Sequence, residues 1–514
     1  IHTLFQSTSL RPVMTYARMS LMLADHFYSS QDKDPNWHSS VTLFANTDNQ
    51  GKLKQQLDEH LVGVAKQAKV NIKKLPRFEA VFNQDIRIFN NAKLHKKSPK
   101  DYKWQDTAVS NIKKWKREEE GLDQHQFGFF AVNMASTGKG KTFANAKIMQ
   151  ALSAGEESLR YILALGLRTL TLQTGDEYRD KIGLKGNELA VLIGSKAIVD
   201  LHEQKNTTGS ESNTSLFDDA LIFDENFPEQ GLDTVLKSSK DRQFLYAPVL
   251  TCTIDHIIQA TEVKRGGRYI LPTLRLMSSD LVIDEIDDFD DSDLIAIGRL
   301  IHMAGMLGRK VMISSATIPP DLAEGYFNVY QSGWDIFAKM RGKKSSVGCA
   351  WIDEFKTHVK AIEDKEIYQK EHTKFIDKRI KNLSQQPVKR KANIAPCSTD
   401  VGEYFEAIKQ AILEKHHHHN MTDTTSNKVI SVGVVRMANI NPCVALTRYL
   451  LDNNLAEDTE IKAMAYHSRQ VLLMRHEQEK YLDKILKRHQ GDEHIFNDAV
   501  IRNHIEQSKV KNII

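Results

Sequence analysis

The stretch Ala135-Ser136-Thr137-Gly138-Lys139-Gly140-Lys141-Thr142 leaves few choices for the fold around it. An apolar run, Phe129-Phe130-Ala131-Val132-Asn133-Met134, precedes it, and a helix-forming run, Phe143 to Leu152, follows. Strand, glycine loop and helix is the context a phosphate-binding loop requires. Gly138 and Gly140 let the backbone curl so that several N–H groups face one anion, and the helix N-terminus adds partial positive charge. Lys139 adds a further cation beside the phosphates. Lys141 is placed to reach the β- and γ-phosphates, and Thr142 to ligate Mg²⁺. ATP and Mg²⁺ are therefore the expected cofactors.

A second motif has the same logic. The apolar strand Leu281-Val282-Ile283 delivers Asp284 and Glu285 to its C-terminal end. Two acids there are costly without a cation or donors nearby. Asp284 is expected to hold Mg²⁺, and Glu285 to position and activate the attacking water. Next come Lys310 to Ser314 and then Ser315-Ala316-Thr317, whose hydroxyls can relay nucleotide state between the acids and a neighbouring domain. Upstream of the loop, Tyr102-Lys103-Trp104-Gln105 offers Gln105 as a reader of the adenine edge.

Hydroxyl and basic residues at other strand ends suit the phosphates of a nucleic-acid strand. Arg168, Thr169 and Thr171 follow the strand Tyr161–Leu165, and Thr251 lies in the strand predicted over 247–255. A polar insertion is read at 203–245.

Across 514 residues, 70 Lys+Arg balance 66 Asp+Glu, so any basic groove must be local. Length predicts two or three domains. Cys252, Cys349, Cys397 and Cys443 lack paired spacing, which argues for reduced thiols and a cytoplasmic location and against a structural zinc site. No apolar run is long enough to span a bilayer, so no membrane partner is expected. The chain opens at Ile1 in mid-pattern and reads as a fragment.

Residues 11–28 predict a buried helix ending in Asp25-His26, and 50–94 a polar helical connector. From Glu354 to Lys391 the density of charge predicts a solvated helical insertion. His416 to His419 have no partner ligands at fitting spacing and define no site. A strand over Val429–Val435 opens a second α/β domain, with Arg436 at its end, a helix from Pro442 to Leu451, a strand over Lys462–His467 and a charged helix from Arg475 to Arg488.

Together, Gln105, the glycine loop, Asp284-Glu285 and Ser315-Ala316-Thr317 resemble a superfamily 2 helicase. The wording of Val132–Gly138, Gly166–Gly175, Ile283–Phe289, Arg436-Met437-Ala438-Asn439 and Tyr466-His467-Ser468-Arg469 is similar to the type I CRISPR-associated helicase-nuclease in its I-F form. That family carries an HD nuclease domain ahead of the helicase, and in the I-F form a further domain like the CRISPR adaptation protein. Leu21 to His26 resembles the last HD motif, which implies Asp25 as a ligand of a divalent transition metal. The family's earlier His and His-Asp ligands are absent here, as is the downstream Gln-x-x-Gly-Arg-x-x-Arg motif, whose arginines act on the γ-phosphate with an effect of roughly 10³–10⁵ in rate.

The expected architecture is α/β: tandem RecA-like helicase domains, the second incomplete, preceded by the C-terminal remnant of an α-helical HD nuclease domain. Its divisions are 1–75 for the remnant, 76–345 for the ATP-binding RecA-like domain, and 346–514 for a charged insertion and the incomplete second domain. The resemblance implies an ATP-dependent single-stranded DNA translocase coupled to DNA degradation in antiviral interference, recruited by an RNA-guided surveillance complex. A superfamily 2 translocase of repair or restriction, or a non-catalytic nucleotide-gated binding module, is the alternative.

Overall fold

A computed structural model of the chain describes residues 10–80, 87–119, 126–166, 168–193, 232, 235–236, 238–261, 267–388, 391–453, 457–467, 469–471, 474, 477–478, 481–482 and 498–514. They divide into two compact units, the first ending at Gln386 and the second running from Pro387 to Ile514.

The first unit begins with helices α1 (Leu10–Ser30) and α2 (Leu57–Ala80), packed on each other, with Pro76 inside α2. Helix α3 (Lys103–Glu119) leads to strand β1 (Gly128–Asn133), every residue of which is buried. A short apolar run buried on both faces is what a parallel sheet covered by helices demands. Burying each of Phe129, Phe130 and Val132 contributes about 1.5–3 kcal/mol. Then follow α4 (Lys141–Leu152), β2 (Tyr161–Leu165), α5 (Arg168–Glu177), β3 (Leu189–Leu192), α6 (Ser239–Tyr246), β4 (Val249–Thr253), α7 (Ile270–Ser278) and β5 (Asp280–Asp284). Helix α8 (Asp291–Met306), β6 (Val311–Ser314), α9 (Pro320–Arg341), β7 (Val347–Ile352), β8 (Thr357–Ile362) and α10 (Lys365–Ser384) complete the unit.

These strands form one 8-stranded sheet in the order β8-β7-β1-β6-β5-β2-β4-β3. All its pairings are parallel except the hairpin of β7 with β8. Parallel strands present all their C-terminal ends on one edge, where ligands bind in such sheets. The register sets Asn133 opposite Ser314, and Ser314 opposite Asp284.

Helices α8 and α9 cover one face with their backbones in close approach. A Cβ at Gly333 would stand 2.1 Å from the carbonyl oxygen of His302, and one at Gly305 2.6 Å from that of Tyr330. Arg160 and Arg275 are buried, their guanidiniums donating to the carbonyls of Leu245 and Ala247 at the end of α6.

Two expectations change here. Residues 354 to 384 are not a solvated insertion, and the unit does not stop at 345. Strands β7 and β8 extend the sheet beside β1, and α10 buries Tyr368, His372, Phe375 and Arg379. The strand predicted over 247–255 is trimmed to β4 by flanking helices. The insertion read at 203–245 falls mostly outside the described residues.

The second unit carries α11 (Val401–His418), β9 (Met421–Thr422), β10 (Val429–Ile430), α12 (Ile440–Asp452), β11 (Thr459–Glu460), α13 (Ala499–Gln507) and β12 (Asn512–Ile513). Its 4-stranded sheet has the order β9-β10-β12-β11. The strand expected over Val429–Val435 pairs only at its first two residues, and Lys462–His467 is not a strand. Most of the helix expected from Arg475 to Arg488 lies outside the described residues. His416 is buried and hydrogen-bonded to Ser431 and Asn512. No helix among the described residues is long and apolar enough to cross a membrane.

Candidate functional site

The C-terminal edge of the first unit's sheet gathers the motifs. Leaving β1, the chain turns through Gly138 (φ +79°) and Gly140 (φ +76°) into α4, conformations that glycine adopts without cost. Lys139 N–H closes the turn onto Ser136 O at 3.1 Å. Lys141 opens α4 and is buried. Its Nζ stands 3.3 Å from Glu285 Oε1. Glu285 itself has φ +49°, an uncommon value for a residue with a side chain, held in the turn after β5.

Asp284 is buried, and burial pushes its carboxyl up to about 6 against the opposing hydrogen bond from Ser314; adjacent Glu285 acts in the same direction as burial and Lys141 against it. A buried acid of this kind beside a lysine and a glycine loop fits a magnesium–nucleotide ligand, whose cation would offset the charge. Thr142, at the first turn of α4, adds a hydroxyl of the right kind.

A chain of buried amides joins these parts, and sequence reasoning missed it. Asn133 donates to Asn145 Oδ1 at 2.8 Å, and its own oxygen accepts from Ala135 N–H at 3.2 Å. Asn145 donates to Ser314 Oγ at 3.2 Å. The phosphate loop, α4, β6 and Asp284 thus share one network. The only signal in the sequence is an Asn ending an apolar strand.

Gln105 is placed beside the loop, with its amide engaged by the protein at both ends. Its amide donates to Gly140 O at 3.0 Å, and its oxygen accepts from Ser98 Oγ at 2.8 Å. It braces the loop, as Trp104 does through Lys139 O. Behind it, Lys147 on α4 contacts Ser98 and Asp106. Ser315 and Thr317 both donate to the Asp287 carboxylate, which their hydrogen bonds hold below its usual range although burial opposes them. Their link is to Asp287 rather than to Asp284 or Glu285.

A second group missed by sequence reasoning flanks the loop on the β7 side. Glu354 accepts from Ser136 through both its N–H and its hydroxyl. Arg379 on α10 donates to Glu354 Oε2 at 2.9 Å and to Ser136 Oγ at 3.2 Å.

Two residues expected at a nucleic-acid strand are elsewhere. Thr251 sits in the middle of β4 and Thr171 in the first turn of α5, both wholly buried, so neither hydroxyl faces a groove. Arg168 and Thr169 open α5. Arg436 is exposed in the second unit. Asp25, on α1, pairs with His60 Nε2 at 3.1 Å. Among the described residues no group of three or more His, Cys, Asp or Glu could hold a metal ion.

A parallel sheet whose C-terminal edge carries a glycine loop with its lysine, an Asp-Glu pair and a Ser-Ala-Thr turn defines a RecA-like P-loop domain. No family model matches the chain. It is 40% identical over 534 residues to the CRISPR-associated nuclease/helicase Cas3 subtype I-F/YPEST of Pectobacterium atrosepticum, covering 98% of this chain and 47% of that protein. The namesake from Pseudomonas aeruginosa is 38% identical over 502 residues, 93% of this chain and 46% of that protein. The chain therefore spans about half the length of the curated relatives it matches. The similarity to the I-F helicase-nuclease that its motifs carry is borne out over nearly the whole chain. Among solved structures it is similar to the crystal structure of T. fusca Cas3-ADP, with a TM-score of 0.49 and 14% identity over 88% of this chain and 45% of that one. For T. fusca Cas3-ATP the values are 0.46, 15%, 83% and 43%.

Proposed function

We propose that this chain forms the ATP-binding motor portion of a type I-F CRISPR helicase-nuclease. The observation that carries the reading is the convergence of Lys141, Asp284 and Glu285 where the glycine loop meets the sheet, with Lys141 held 3.3 Å from Glu285. Bound nucleotide would take over Lys141 through its β- and γ-phosphates and release Glu285 to orient the attacking water. Loop N–H groups would bind phosphate oxygens, and Asp284 with Thr142 would hold the Mg²⁺ that neutralises charge between the phosphates. Ser315 and Thr317, through Asp287, lie one turn along from Glu285 and would pass on its state.

Single-stranded DNA is the proposed track, contacted through its backbone, with Arg168, Thr169 and Arg436 as the remaining contact candidates. An RNA-guided surveillance complex is the proposed recruiter, and the CRISPR adaptation protein a further partner, in the cytoplasm. Asp25 is proposed as a descendant of the HD metal-ligand position.

The test is ATP hydrolysis by the chain with and without single-stranded DNA, beside Lys141→Ala. DNA-stimulated turnover lost in the variant supports the motor. Lys141-dependent binding without turnover supports a nucleotide-gated module. Absence of both nucleotide binding and turnover overturns the reading.

A further inference from the structure

The Glu354–Arg379 group lies outside every motif that named the site, yet it touches the phosphate loop directly. Glu354 follows β7, the strand beside β1, and its carboxylate takes both polar hydrogens of Ser136. Its side chain and that of Arg379 are each 8% exposed. An ionised acid this deeply buried needs a cation. Burial pushes the Glu354 carboxyl up, but the hydrogen bonds from Ser136 and Arg379 outweigh it and hold the group below the usual range.

The neighbouring Asp353 is also buried, with Arg379 Nη1 at 3.3 Å from Oδ2. Asp353 has other donors, accepting from the N–H groups of Phe355 and Lys356 at 2.8 and 2.6 Å. Glu354 has Arg379 as its cation. A loop built to receive a polyanion thus has a carboxylate bonded to its own backbone, and one guanidinium cancels it.

We propose that Arg379 is a positioning residue for the nucleotide: its guanidinium holds Ser136 of the phosphate loop and neutralises Glu354, so that the loop keeps both its shape and its affinity for a polyphosphate. The proposal rests on the nucleotide reading of this site. Removing the cation leaves an unneutralised acid against the loop, and the repulsion grows with the charge of the ligand. ATP should therefore suffer more than ADP. A guanidinium that mattered only for packing would weaken both alike.

The experiment is equilibrium titration of the full chain with a fluorescent ATP analogue, and its displacement by ATP or ADP with Mg²⁺. The panel is the unsubstituted chain, Lys141→Ala, Arg379→Gln, Arg379→Lys, Glu354→Gln and the double variant Arg379→Gln/Glu354→Gln, each with a thermal melt. Arg379→Gln should raise the Kd for ATP about ten-fold or more, with a smaller rise for ADP. The double variant should recover most of the loss because no acid remains uncompensated there. Arg379→Lys should fall between, keeping the charge but not the fork. Glu354→Gln alone should bind ATP at least as tightly as the unsubstituted chain, and this arm carries the test if Arg379→Gln unfolds.

Unchanged affinity in Arg379→Gln, or equal losses for ATP and ADP without recovery in the double variant, overturns the proposal while Lys141-dependent binding stands. A weakened Glu354→Gln also overturns it. Absence of Lys141-dependent binding in the unsubstituted chain overturns the functional reading and the proposal with it.

Discussion

Lys141 Nζ lies 3.3 Å from Glu285 Oε1, so the lysine proposed to bind phosphate and the carboxylate proposed to orient water occupy each other. Glu285→Gln removes the proposed base and loosens this pairing. Hydrolysis should fall about 100-fold or more while ATP affinity is kept or rises. Phosphate release and nucleotide titration on the same preparation check this. A parallel loss of both would remove Glu285 from the role of base.

Asn145 links Asn133 to Ser314 inside the sheet edge. Asn145→Ala strands both partners in a buried setting. The expected destabilisation is about 1–3 kcal/mol, read by urea denaturation. Because Asn133 also receives the Ala135 N–H at the start of the phosphate loop, nucleotide affinity should drop as well. An unchanged midpoint would mean the amides are replaceable by solvent.

Gly333 lets α9 meet α8 backbone to backbone. Alanine there would place its Cβ 2.1 Å from His302 O, and main chain cannot swing aside as a side chain can. Gly333→Ala should cost up to about 3 kcal/mol, by the usual scale of overpacking. Gly325→Ala, in the same helix with nothing within 4 Å, is the control that should be neutral or stabilising by up to about 1 kcal/mol. Equal melting temperatures for the two variants would contradict the close approach.

The nucleotide loop, Asp284-Glu285 and the Ser315 turn were legible because each is an apolar run ending abruptly in residues that are expensive without a ligand. Asp353, Glu354 and Arg379 were not. Charge in a sequence reads as solvent exposure, and these three are buried because both acids pair with Arg379, 25 residues beyond Glu354. Thr251 was misplaced because a hydroxyl does not report whether it ends a strand or sits in its centre. Gln105 reads from the sequence as lying beside the loop, and the fold shows its oxygen bonded to Ser98 and its N–H to Gly140.

His372 on α10 is buried, and its Nδ1 accepts from Trp351 Nε1 at 3.0 Å, which suits the neutral ring. Burial pushes its pKa down to about 4 from an ordinary 6.5. Above pH 6.5 the ring is neutral in both states and costs nothing. Between 6.5 and 4 the unfolded chain gains a proton that the folded one refuses, so stability falls as pH falls, by as much as about 3 kcal/mol. Denaturation midpoints at pH 8 and pH 5 should differ less in His372→Gln than in the unsubstituted chain. Identical pH dependence in both would assign the acid sensitivity to other groups.

The central strand β1 pairs with β6 and β7, both made long after it, and Ser136 contacts Arg379 across 243 residues. Translation therefore delivers the phosphate loop early and its supports late. Until β6 and then β7 have left the ribosome, Gly-Phe-Phe-Ala-Val-Asn is an uncharged, proline-free segment lacking one or both of its neighbouring strands, the composition that pairs between molecules. The proposed nucleotide site is thus among the last parts of its unit to assemble, and the yield of native protein depends on what shelters those six residues while the rest is being made.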